Sequence, residues 1–128
     1  MPSFCEEPPP SALLEGIAQF NRGEFFEQHE TLELLWRDER RDGRRLYQGI
    51  LQIGVAFHQL GRLNHHGTVY MLTRGSRYLK PFAPRCQNVD VARLIRDAAV
   101  ALAEVERLGP DKLSDFDWGL APTVHLCE

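Results

Sequence analysis

Three carboxylates and an imidazole, Glu27, His29, Glu30 and Glu33, fall within seven consecutive residues. Residues four apart on a helix can touch, so His29 and Glu33 form a potential imidazole–carboxylate pair, and His29-Glu30-x-x-Glu33 superficially resembles a zincin helix. A zincin needs a second histidine where Glu33 stands. One helix would therefore supply a mixed imidazole and carboxylate set, suited to iron or manganese as well as zinc, and His58 is the best distant candidate to extend it. His29, Glu33 and His58 are thus the residues that could ligate a metal, although the sequence requires neither a metal nor any other cofactor. Acid–base chemistry is the second possibility. Glu30 or Glu33, with its pKa raised by the apolar neighbours Phe26 and Trp36, would act as base, and His29 or His58 would exchange the proton.

The same residues also have a purely structural reading. A buried imidazole and a carboxylate satisfy one another at little cost, so His29 is expected as a core histidine donating to Glu33 or to a carbonyl of another helix. Glu27, Glu30 and Glu33 would then pair with Arg62, Arg74 or Arg77 across the fold. Gln48 and Gln52, one turn apart, could hydrogen-bond those carboxylates or contact a partner subunit. No nucleophile is assigned: the motif region holds no cysteine, and the chain has no G-x-S-x-G elbow or phosphate loop.

The elements that must position these groups are all helical. Ser11 reads as an N-cap of a first helix over 12–20, closed by Asn21-Arg22-Gly23. A second begins near Glu24, and at about 100° per residue Phe25, His29, Leu32 and Trp36 share one arc, which points His29 inward. Asp42-Gly43 turns the chain into the longest helix, 44–62, with Leu46, Ile50, Ile53, Phe57 and Leu60 on one face and Tyr47, Leu51, Val55 and His58 on another. Such a helix belongs at the centre of a bundle, where Gly49 and Gly54 would admit a neighbouring backbone. A fourth helix runs over 68–79 and a fifth, capped by Asp90, over 91–108. The expected class is all-α, a compact bundle of about five helices. An extended leader spans residues 1–10, the bundle 11–108, and a tail over 109–128 packs on it.

At 128 residues the chain suffices for a real core. No run of apolar residues is long enough to span a bilayer. The opening MPSFCEEPPP lacks the basic start and apolar middle of a secretory signal, which points to a cytoplasmic protein. Cys5, Cys86 and Cys127 lie far apart and are expected as free thiols. The net charge of -3 makes nucleic acid an unlikely partner, and the arginines at 37, 40, 41, 44 and 45, broken by acids, read as a solvated turn.

The run F-N-R-G-E-F-F-E-Q-H-E-T-L-E-L-L-W from Phe20 to Trp36, then Y-Q-G-I-L-Q-I-G-V-A-F-H from Tyr47 to His58, then Asn64 and Gly67, resembles the bacterial and archaeal family known as domain of unknown function 309. The resemblance covers roughly residues 17–79. Thr68 and Gly75 stand where the resemblance leads one to expect a small residue such as alanine. It implies a small helical bundle and no established activity. The residues and the resemblance together lead to a non-enzymatic binding or assembly module, a homo-oligomer, with a metal-dependent or acid–base hydrolase as the alternative.

Overall fold

The computed structural model describes residues 3–127; the first two residues of the leader and the last of the tail lie outside them. Five helices carry the fold: α1 (Ser11–Asn21), α2 (Phe25–Asp38), α3 (Arg44–Gly61), α4 (His65–Leu79) and α5 (Val91–Leu108). The all-α expectation holds. Beyond it, a two-residue antiparallel pair, β1 (Arg85–Cys86) and β2 (Val89–Asp90), joins α4 to α5.

α3 is the central helix because it is apolar nearly all round. Leu46, Ile50, Ile53, Phe57 and Leu60 are buried, and so are Tyr47 and Leu51 on its second face. Each large side chain so buried contributes about 1.5–3 kcal/mol. α2 and α4 flank it, both antiparallel to it. The α4 side approaches closest, since a Cβ on Gly49 would lie 3.0 Å from the Gly75 carbonyl and one on Gly75 would lie 2.9 Å from the Gly49 carbonyl. Gly75 therefore serves this crossing. Gly54 does a different job from the one expected: the space its missing side chain leaves is filled by the Gln28 carboxamide, not by a backbone.

α4 starts three residues before its expected beginning. The reason is Asn64, whose side-chain oxygen accepts from the Gly67 N–H at 3.0 Å and whose carbonyl accepts from the Thr68 hydroxyl at 2.7 Å. Asp90 caps α5 by accepting from the Arg93 N–H at 3.1 Å, and Gly109, at φ 69°, ends it.

The leader is extended at Ser3, Glu7 and Pro10 but makes a 3-10 turn at Phe4–Glu6, and it is not loose. The Phe4 ring fills the place of the absent Gly43 side chain, lies 5.8 Å from the Tyr47 ring, and has the Arg41 guanidinium 4.9 Å from its centre. The Gln87 N–H donates to the Cys5 carbonyl at 2.8 Å, and the buried Tyr47 hydroxyl donates to Gln87 Oε1 at 2.7 Å. Burial pushes the Tyr47 phenol up to about 12, against the lowering pull of that hydrogen bond.

These contacts correct the expectation of three free thiols. Cys5 and Cys86, 81 residues apart in sequence, are joined as a disulfide, with Cα atoms 4.1 Å apart; among the described residues only Cys127 is free. Spacing along the chain could not disclose a pair that the fold brings together. At the other end, Asn21 of α1 donates to the Val124 carbonyl at 2.9 Å and accepts from the Val124 N–H at 2.8 Å. Phe116 and Val124 are buried, and the Phe116 and Trp118 rings lie within 6.4 Å of Phe57.

Candidate functional site

α2 is rotated relative to its expected orientation. Its fully buried positions are Gln28 and Leu32, so Phe25, His29 and Trp36 lie on one flank of the buried stripe rather than at its centre. The His29 side chain is 37% exposed, which corrects its placement as a core histidine. Gln28 takes the inner position because Gly54 leaves room for it and the Leu51 carbonyl accepts from its Nε2 at 3.1 Å.

This rotation opens a groove along α3. One stretch, of about 230 Å³, has His29, Glu33 and Trp36 of α2 on one side, Gln48, Gln52 and Val55 of α3 as floor, and Met71 of α4 opposite. A neighbouring stretch of about 210 Å³ shares His29 and Val55 and continues past Phe26 to His58. The walls are mostly apolar. Of the side chains lining both stretches, Glu33 is the one carboxylate, and none is lysine or arginine.

Among the described residues, buried side-chain atoms of Gln19, Gln28, Trp36 and Gln52 lack a hydrogen-bond partner, and the last two belong to side chains lining this groove. Trp36 Nε1–H and Gln52 Oε1 are both shielded from solvent and hydrogen-bonded to nothing, although Gln52 as a residue is only 7% exposed. An unpaired buried donor or acceptor costs about 1–3 kcal/mol. The two atoms do not satisfy each other either. Native folds retain few such groups, and each calls for an explanation such as strain, a catalytic role, or a bound water or ion.

The expected polar cluster is thus only partly assembled. His29 Nε2 lies 3.7 Å from Glu33, too far for a hydrogen bond, while Glu33 meets Arg37 of its own helix at 3.2 Å. Gln48 accepts from Arg45. Glu27 and Glu30 are exposed on the outer side of α2, and among the described residues they pair with none of Arg62, Arg74 or Arg77. His58 packs against the Phe26 ring in the second stretch. Among the described residues, no three His, Cys, Asp or Glu side chains converge as a metal-ligating group.

Sequence reasoning passed over Gln28 and Met71, and it took Trp36 only as an apolar neighbour. A glutamine beside an apolar stripe reads as surface until the glycine that accommodates it is known. Of the arginine-rich turn, Arg41 is structural: it grips Glu7 at 2.6 Å and Glu39 at 2.9 Å, and it holds both carboxyls below their ordinary range chiefly through those hydrogen bonds.

Fold and site together define a small helical bundle with a mostly apolar, incompletely satisfied groove along its central helix. Residues 13–71 match the family described as Domain of unknown function (DUF309). The matched segment contains every residue lining the groove. No curated protein matches the chain. Among the described residues, no helix is long and apolar enough to cross a membrane.

Proposed function

We propose that this protein is a binding or assembly module and that the α2–α3–α4 groove is its working surface. The observation that carries this reading is the pair of shielded, unpartnered polar atoms, Trp36 Nε1–H and Gln52 Oε1, set among apolar walls. That combination of apolar lining with a few unsatisfied orienting groups is characteristic of sites that bind. A homo-oligomeric, cytoplasmic protein without a nucleic-acid partner completes the proposal. In a reducing cytoplasm Cys5 and Cys86 would be a thiol pair held in place by the leader's other contacts. The hydrolase alternative draws less support, because Glu30 lies outside the groove and His58 sits beside Phe26 rather than beside Glu33.

The test is nitrogen-15 NMR of the two tryptophan indoles. At a protein concentration where the chain sediments as a monomer, neutral and cationic carboxamide fragments should shift the Trp36 indole signal and leave that of Trp118 in place. A fragment set that moves neither signal, or only that of Trp118, would refute the groove as the working surface.

A further inference from the structure

The groove has rims of opposite charge. On α2, Glu30 and Glu33 flank the exposed Phe26, which is 55% accessible; Glu33 pairs with Arg37 of its own helix at 3.2 Å, and among the described residues Glu30 has no ion pair, so Glu30 carries the uncompensated charge of this rim. On α4, beyond Met71, Arg74 donates to the hydroxyls of Tyr70 at 2.9 Å and Tyr78 at 3.1 Å, and Arg45 lies 5.0 Å from the centre of the Tyr78 ring. Phenol oxygens leave a guanidinium charge uncancelled, and among the described residues neither arginine pairs with a carboxylate. Arginine and tyrosine are also the side chains that most often anchor protein interfaces.

The rims stand at the same level. α2 and α4 both run antiparallel to α3, Glu33 lies beside Gln48 and Gln52, and Gly75, next to Arg74, lies against Gly49 and Ile53.

We propose that a second copy of this chain covers the groove, related by a twofold axis parallel to α3. This rests on the reading of the groove as the working surface. Turning a copy about an axis parallel to α3 sets the acidic rim of one protomer against the basic rim of the other, twice per dimer. A twofold axis across α3 would instead set acid on acid and base on base, so the charge asymmetry selects the operator. The incoming Phe26 and Tyr70, the latter 47% accessible, bring aromatic area to the groove.

The experiment is sedimentation equilibrium from about 1 μM to about 1 mM. It compares the wild type, Arg74→Glu, the double variant Glu30→Arg with Glu33→Arg, and an equimolar mixture of the two variants. Circular dichroism confirms that each folds, and Arg74→Gln replaces Arg74→Glu should the latter melt early. The wild type should dimerise, and each variant alone should dimerise at least about tenfold more weakly. The mixture should recover a heterodimer, since one variant then presents two acidic rims and the other two basic ones. A dimer indifferent to both variants, or variants that mixing fails to rescue, would overturn the proposal. So would a wild type monomeric throughout. In that monomeric case, a fragment-induced shift of the Trp36 indole leaves the groove standing as a site for another ligand or peptide, whereas no shift removes the groove reading as well.

Discussion

Gln28 is wholly buried, donates one hydrogen bond to the Leu51 carbonyl, and leaves its Oε1 unpartnered. Its place exists only because residue 54 is glycine: an added Cβ would lie 2.2 Å from Gln28 Nε2. Two effects then oppose each other in Gly54→Ala. Removing a glycine from a helix interior gains about 1 kcal/mol of propensity, whereas overpacking costs about 1–3 kcal/mol and the Gln28 hydrogen bond is disturbed as well. The clash should win, giving a net loss of about 1–2 kcal/mol in urea unfolding. In a Gln28→Ala background the clash is absent, so the same Gly54→Ala change should become neutral or stabilising. Equal effects of Gly54→Ala in the two backgrounds would mean that Gln28 does not occupy that space. The same pair explains why the sequence misplaced His29. The helical spacing of Phe25, His29, Leu32 and Trp36 is real, yet a glutamine–glycine contact between two helices leaves no periodic trace, and it turns α2 so that His29 faces the groove.

The leader illustrates an element held by tertiary contacts rather than by its own propensity. Pro8, Pro9 and Pro10 make the extended parts legible from sequence, but the 3-10 turn at Phe4–Glu6 exists because Gly43 admits the Phe4 ring and Gln87 takes the Cys5 carbonyl. Arg41 is its electrostatic clasp. The Glu7 and Glu39 carboxyls are held below their ordinary values by hydrogen bonds from Arg41, so the native state binds fewer protons there than the unfolded one. Their contribution is therefore fully present above the ordinary carboxylate range and is lost as pH falls through the lowered native values. Hydrogen exchange at the Gln87 amide, which donates to Cys5, reports the docking. With Cys5 and Cys86 reduced, protection at Gln87 should hold near neutral pH and decline as the solution is acidified below that range. Arg41→Met should lower it at neutral pH and flatten the decline. With the disulfide intact the leader stays tethered, and the acid effect should be smaller. An acid profile unchanged by Arg41→Met would assign the docking to Phe4 alone.

At the scale of the whole molecule, the sequence revealed what repeats and missed what meets once. The apolar faces of α3 recur over several turns and identified the central helix; Asp90 and Gly109 marked the ends of α5 by local chemistry. The Cys5–Cys86 pairing and the groove arise from long-range contacts that no periodicity encodes, and the β1–β2 hairpin, with two residues in each strand, is too short to leave an alternating pattern. Both chain ends are secured in this way, the tail through the two hydrogen bonds of Asn21 to Val124, the Val89–Leu126 bridge and the Cys127 N–H bond to Asn88 at 2.7 Å. If those contacts integrate the tail, the molecule should unfold as one cooperative unit. The two tryptophans allow this to be checked, since Trp36 reports the groove and Trp118 the tail over Phe57. In urea, a Trp36→Phe protein and a Trp118→Phe protein should show fluorescence midpoints that coincide with their own circular dichroism. Asn21→Ala removes both bonds to Val124, at a cost of about 1–3 kcal/mol. Because the helices do not depend on that clamp, the Trp118 signal should then fall ahead of the helical signal while the Trp36 signal stays with it. A common downward shift of all three midpoints would instead make the clamp part of the global core, with no separately detachable tail.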